Sequence, residues 1–492
     1  MSVVRFRSGR RSASVLIVVL NAFGLAGQAA FADDAAFTEA ADAIVTDWTR
    51  NFARVFRDLA TRPEAEFVPA WQRKTGAWRA GLDAAAATHM PTDELADEYR
   101  TRLLYEWAVG MFYYESYYRG ASANPDFTVS DSFNDYLDRV RFDGEDLLYL
   151  DEYTGFIRVF RDGLADERFE QSETLPGSAK YLTAKLEASA FFDNTAVRCW
   201  ADGQAISKWF EENNADGVTD EVSNYASRCP GDTASALMAQ WQDELASRED
   251  HIIEVYKSIG DVDLELHIYA PEMDRDDQTL KPAMVWLHGG GWFFGSWGWC
   301  GPCQFYKDRG MVVAQVEYRT RGRHATNIRD AFEDALDAIA WLRRNADQYG
   351  IDPERIGVSG FSAGAHLSLA AAGLAPSDAQ SKPDIAVAFS GCADLTIDPY
   401  IVRMAGGMKE AAALSPVNAE PKAWPPLYMA NATRDSDCNY EAALQFSEKA
   451  KAQGAEITFL TQENAGHFFL REPERSAQTR ASVNAFLDAQ GF

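Results

Sequence analysis

The chain has 492 residues, 47% of them hydrophobic, and carries 74 acidic against 47 basic side chains, a formal charge of −27. That length exceeds one ordinary domain, and the apolar fraction excludes both global disorder and a polytopic membrane protein. The acidity argues against a nucleic-acid partner, which needs a basic patch, and six cysteines are too sparse here for a small disulfide-stapled scaffold.

Residues 1–32 carry Arg5, Arg7, Arg10 and Arg11 and no acid, then an apolar stretch over 15–26, then Ala30-Phe31-Ala32. A charged start, a short apolar core and a small-x-small site predict a signal peptide cut after Ala32, with no stable membrane anchor once it is removed. Export to the periplasm or beyond implies an oxidising compartment, where cysteines pair.

Residues 33–250 hold 42 acidic and 21 basic side chains, whereas 251–492 hold 32 and 22, so most of the acidity belongs to the first of these segments. That segment reads as helical. Ala41, Ile44, Trp48, Phe52, Val55, Phe56 and Leu59 recur at the spacing that lines one face of a helix, and similar runs follow over 103–118 and 181–192. Turn-forming residues over 121–126 separate two of the runs. An all-helical domain over 33–250, of unassigned role, is expected. The aromatic series Tyr105, Trp107, Phe112, Tyr113, Tyr114, Tyr117 and Tyr118 follows a helical period and reads as core, with stacking of sugars or aromatic esters as the alternative.

Beyond residue 250 short β-rich runs, at 252–256, 264–269, 283–287, 311–316, 355–359, 385–389, 427–430 and 457–460, alternate with amphipathic stretches such as 328–342 and 440–452. This alternation predicts an α/β domain over 251–492, a mostly parallel sheet with helices on both faces and ligands at the carboxyl edge of the strands.

Gly360-Phe361-Ser362-Ala363-Gly364 lies between the run 355–359 and an apolar helix beginning at Ala365. Glycines at those places permit a sharp strand-to-helix turn that lifts Ser362 out as a nucleophile. A serine hydroxyl needs a base to take its proton and an acid to orient that base. His467, just after the run 457–460, is the candidate base, and Asp435, after the run 427–430, is the candidate acid, with Asp437 as its rival. His89, His251, His267, His324 and His366 read instead as surface or core histidines. The loop His288-Gly289-Gly290-Gly291-Trp292 follows the run 283–287, so the amides of Gly290 and Gly291, with that of Ala363, are expected to form an oxyanion hole.

Over about 251–492 these motifs resemble the α/β-hydrolase fold, and within it the HGGGW carboxylesterase branch, akin to the hormone-sensitive-lipase group and to bacterial acetyl and feruloyl esterases. Ile351-Asp352-Pro353-Glu354-Arg355-Ile356, Leu414-Ser415-Pro416 and Pro425-Pro426 fit the same family. Phe361, Ala365 and Asn431-Ala432 depart from its pattern, which has an acidic residue, a third glycine and His-Gly there. The resemblance implies hydrolysis of short-chain, acetyl-like esters through an acyl-enzyme, carbohydrate esters among them, without metal or other cofactor.

Trp299-Cys300-Gly301-Pro302-Cys303 has the letters of a thioredoxin active site, so Cys300 and Cys303 form either a structural disulfide or a redox pair. Pairing of Cys199 with Cys229 and of Cys392 with Cys438 is expected, among the connectivities that six cysteines allow. A thiol-disulfide oxidoreductase, a serine peptidase on the same residues and a catalytically silent binding protein are the alternative readings. Oligomeric state, acyl group and alcohol are not legible.

Overall fold

A computed structural model describes residues 26–492 except 123, 125, 172–178, 214–217, 247–250, 261, 271–278, 377–379 and 421–423, and the expected signal segment lies largely outside these. The residues group into two compact units, one ending at Phe160 and one spanning Arg161–Phe492. The change in periodicity at residue 250 marks where strands begin. The break in packing comes well before it, inside a helix, so the helices over 180–246 cluster with the sheet rather than forming a separate body with the first helices.

The first unit is built on α1 (Ala26–Ala60), α2 (Glu64–His89) and α3 (Asp93–Ala121), and it includes the start of α4 (Asp151–Gln171). Aromatic rings fill its centre. Trp48 lies 4.6 Å from Trp78 and Phe67 stacks on Tyr114 at 4.0 Å, while Tyr105, Trp107 and Tyr114 of the aromatic series are buried. Gly110 is what lets α3 approach: a Cβ there would sit 2.2 Å from the Trp71 ring.

In the second unit α5 (Lys180–Ala188), α6 (Thr195–Glu212), α7 (Thr219–Arg228) and α8 (Asp232–Ala246) pack around Leu182, Ile206, Phe210, Val222 and Leu237. Asn194 caps α6 by accepting from the Val197 amide, and the Cys199–Cys229 disulfide ties α6 to the end of α7.

The strands are β1 (Ile252–Ile259), β2 (Val262–Tyr269), β3 (Lys281–Leu287), β4 (Val312–Val316), β5 (Ile351–Phe361), β6 (Ile385–Phe389), β7 (Leu427–Ala432) and β8 (Ile457–Gln462). They form one sheet in the order β1-β2-β4-β3-β5-β6-β7-β8, with β2 antiparallel to both its neighbours β1 and β4 and all other pairs parallel, as expected for the fold class. Each predicted run falls on one strand; β5 begins earlier than its run because Ile351 pairs with Lys281 of β3, and ends later because Gly360 and Phe361 pair with Leu287 and Phe389.

Alternate residues of β3 face opposite layers. Ala283, Val285 and Leu287 join the core under α11 (Ile328–Arg344), α12 (Ala363–Leu374) and α15 (Tyr440–Ala452). Met284 and Trp286 join the core under α9 (Cys303–Lys307) and α16 (Pro473–Gln490). Burial on both faces explains why these runs are continuously apolar rather than alternating. The short helices α10 (Arg321–His324), α13 (Pro399–Ala405) and α14 (Met408–Leu414) complete the unit. Among the described residues no helix is long and apolar enough to cross a membrane.

Candidate active site

Six parallel strands place their following loops on one edge of the sheet, and the predicted site residues lie in such loops or at the first residue of the helix that follows. Ser362 follows the central strand β5 and precedes α12, with φ 57° and ψ −118°. A non-glycine residue rarely adopts this conformation, and it is held here by the Ser362 amide donating to the Phe389 carbonyl (2.9 Å) and by the His366 amide donating to the Ser362 carbonyl (3.0 Å). The flanking glycines are steric requirements. A Cβ on Gly364 would lie 1.9 Å from the Leu287 carbonyl oxygen, and one on Gly360 would lie 2.3 Å from the Gly364 backbone.

The loop after β3 is shaped by the same logic. Gly290 (φ 114°) and Gly291 (φ 60°) adopt left-handed backbone, and a Cβ on Gly290 would lie 2.0 Å from the Phe294 carbonyl oxygen. The Gly290 carbonyl accepts from the amides of Phe293 and Phe294, both at 3.1 Å, so the turn is closed from inside. It is braced from behind: Arg321 and Gly322 amides donate to the Trp292 and Phe293 carbonyls, and the Tyr318 hydroxyl donates to the His288 carbonyl at 2.7 Å. His288 itself stacks on Tyr318, donates Nδ1–H to the Gly289 carbonyl and is pushed by burial down to about 4, so it stays neutral. Ala363, first residue of α12, has an amide with no partner inside the helix.

His467 lies after β8, nearly buried, and its Nδ1 donates to both oxygens of Asp435, at 2.9 and 2.8 Å. The Asp435 carboxylate is fully buried, and its Oδ1 also accepts from the amides of Asp437 and Cys438, each at 2.9 Å. Asp437 sits differently, half exposed with Oδ2 3.8 Å from His467 Nε2. The Cys392–Cys438 disulfide anchors this turn to the loop after β6.

Ser362, His467, Gly290 and Gly291 share a cavity of about 1090 Å³. Phe361, Phe468, Trp299 and Tyr400 give it aromatic walls, and Lys208, Glu211 and Glu212 of α6 reach it from the helical segment. Phe361, where the carboxylesterase pattern has an acid, packs its ring 5.0 Å from that of His467 and stacks on Phe468. The other predicted pair, Cys300–Cys303, is a disulfide, and Cys300 lines the same cavity.

Three supporting groups went unread in the sequence: Tyr318, the α6 residues and Ser390. Ser390, directly after β6 with φ 50°, donates its hydroxyl to the His467 carbonyl at 2.8 Å. Its place at the carboxyl end of a strand was the available signal. Among the rival histidines, His251 and His267 hydrogen-bond to each other at 2.8 Å, while His324 and His366 are pushed by burial to about 3 and about 4. Asp435, Asp437 and His467 present ligand-type atoms within 4.8 Å of one another, as do Glu265, His267 and Glu317. In both groups these atoms already serve protein partners: Asp435 holds His467, and Glu317 pairs with Arg323 at 2.8 Å.

Residues 266–397 match the family model BD-FAE. The chain is 38% identical over 113 residues to arylacetamide deacetylase of Oryctolagus cuniculus, covering 22% of this chain and 27% of that protein. It is 26% identical over 245 residues to esterase LipC of Mycobacterium tuberculosis, covering 44% of this chain and 60% of that one. The matches thus span under two thirds of these relatives' own length. Among solved structures, the apo form of Thermogutta terrifontis esterase 2 is 29% identical, covers 50% of this chain and 96% of its own, and superposes with a TM-score of 0.46. With this sheet order and strand-serine-helix turn, the strand-bearing part of the chain has the α/β-hydrolase fold, and the sequence is similar to those of carboxylesterases.

Proposed function

We propose that this domain hydrolyses carboxylic esters of short, acetyl-like acids, including acyl groups carried on sugars, through an acyl-enzyme on Ser362. The observation that carries the reading is that His467, held by the buried Asp435 carboxylate, lines one cavity with a serine held in a strained turn. In this mechanism His467 Nε2 takes the proton from Ser362 Oγ as the oxygen attacks the ester carbonyl. Asp435 holds the ring so that Nδ1 carries the other proton and stabilises the imidazolium. The amides of Gly290, Gly291 and Ala363 donate to the oxyanion, a contribution of about 3 kcal/mol for each donor. Nε2 then protonates the departing alcohol, and water, deprotonated by the same nitrogen, releases the acid.

The aromatic cavity walls and the similarity to arylacetamide deacetylases favour an acyl group next to an aryl or sugar ring, with an aryl acetamide as the second substrate class. The α6 side chains on the cavity wall give the helical segment a part in choosing substrates. Three disulfides support action in an oxidising compartment outside the cytoplasm. Wild-type protein is expected to turn over p-nitrophenyl acetate and to be labelled at Ser362 by a fluorophosphonate, and Ser362→Ala to fold normally and do neither. Full turnover by Ser362→Ala would overturn the proposal.

A further inference from the structure

The Cys300–Cys303 disulfide stands apart from the other two. It closes an interval of 3 residues, whereas Cys199–Cys229 and Cys392–Cys438 close intervals of 30 and 46. Closing so short a loop removes little freedom from the unfolded chain, so this bond adds the least to stability of the three. Its two sulfurs also face different surroundings. Cys300 lies in the cavity wall with Gly298, Trp299, Gly301 and Pro302, while Cys303 is buried at 2% exposure.

Behind Cys303 stands Gln315 of β4, itself only 4% exposed, whose Nε2 donates to Cys303 Sγ at 3.4 Å. Its Oε1 is buried with no hydrogen-bond partner among the described residues. A buried amide is costly unless its groups are used, and a disulfide sulfur is a weak acceptor. A thiolate is a strong one. The donor is therefore placed for a state in which Cys303 carries charge.

We propose that Cys300–Cys303 is a thiol-exchange site that opens on the cavity and takes dithiol reductants. A thiolate of the dithiol attacks Cys300 Sγ from the cavity side, forming a mixed disulfide. The Sγ–Sγ bond breaks and its electron pair leaves on Cys303 Sγ, where the Gln315 N–H stabilises it. The second thiol of the reductant then displaces Cys300. Two electrons and two protons have passed to the protein, which holds two thiols, and the reductant has become a disulfide. Since Trp286 Nε1 is bonded to the Trp299 carbonyl at 2.9 Å, the released wall segment remains tethered to β3 at its start.

The readout is thiol alkylation and does not depend on ester hydrolysis. The full native chain is incubated with graded dithiothreitol, quenched with iodoacetamide and mapped by peptide mass spectrometry. Cys300 and Cys303 are expected to be alkylated at dithiothreitol concentrations at least about tenfold below those that open the other pairs. Gln315→Met is expected to slow their opening about tenfold, through loss of the thiolate's donor. Opening of all three pairs together, or of either other pair first, overturns the proposal, as does an unchanged rate in a folded Gln315→Met. The order of opening in the wild-type chain is decisive even where that variant does not fold.

Discussion

Asp435→Asn separates the two acids that compete for one role. In the native turn Oδ1 accepts from the amides of Asp437 and Cys438, each at 2.9 Å, while both oxygens lie within 2.9 Å of His467 Nδ1. An asparagine in this fully buried seat keeps its carbonyl oxygen on the two amides, because turning its NH₂ toward them would set donor against donor and orphan both. The NH₂ then faces His467 Nδ1 and favours the tautomer with its proton on Nε2. That nitrogen can no longer act as the base toward Ser362. A tautomer error of this kind lowers kcat by roughly 10⁴, or about 5 kcal/mol of transition-state stabilisation. Asp437, half exposed and 3.8 Å from Nε2, accepts from the adjacent Ser436 hydroxyl and does not hold Nδ1, so Asp437→Asn is expected to change kcat less than about tenfold. Steady-state hydrolysis of p-nitrophenyl acetate, with thermal melts to confirm folding, reads both. A kcat for Asp435→Asn within tenfold of the wild type, or a larger loss in Asp437→Asn, would refute the assignment.

Stability should fall with acid in a window set by buried histidines. His288 and His366 are held near 4 and His324 near 3 against an ordinary 6.5, each by burial, so the unfolded chain binds protons first. Their contribution is complete above about pH 6.5 and is lost as pH falls toward 4, on the order of 2 to 3 kcal/mol each, read as melting temperature against pH. A flat profile over that range would contradict neutral burial. Gly110→Ala places a Cβ 2.2 Å from the ring of Trp71, which is wholly buried, so the helices around it should lose about 1 to 3 kcal/mol in denaturant melts. Replacing Cys392 and Cys438 together by alanine opens an interval of 46 residues and should cost about 4 kcal/mol, with a drop in turnover as the Asp435 turn loosens. Unchanged stability would show that the loop is held by its hydrogen bonds alone.

Much of the second unit was legible because its signals are local. Strands buried on both faces read as apolar runs, and the turn at Ser362 is marked by glycines whose Cβ atoms would strike Leu287 and their own neighbours. The aromatic series over 105–118 read as core because its residues recur at helical spacing; Tyr105, Trp107 and Tyr114 are buried, whereas Phe112, Tyr117 and Tyr118 are half-buried and Tyr113 is exposed. The departures from the carboxylesterase pattern were visible as letters only. That Phe361 covers His467, and that Asn431 donates to the Gly391 carbonyl at 3.2 Å, needed neighbours from distant strands.

By itself the sequence determined the strand and helix alternation, the sharp turn at Ser362 and the glycine loop at 289–291, since each rests on periodicity or on the freedom of a few adjacent residues. Tertiary structure alone decided which of two acids, one residue apart from adjacency, meets His467 Nδ1, because composition cannot fix the register of a loop. It also decided that α5 to α8 pack with the sheet, and that a short cysteine loop opens on the same cavity as Ser362. Those are contacts between residues far apart along the chain, made only when the sheet closes and brings its carboxyl-end loops together.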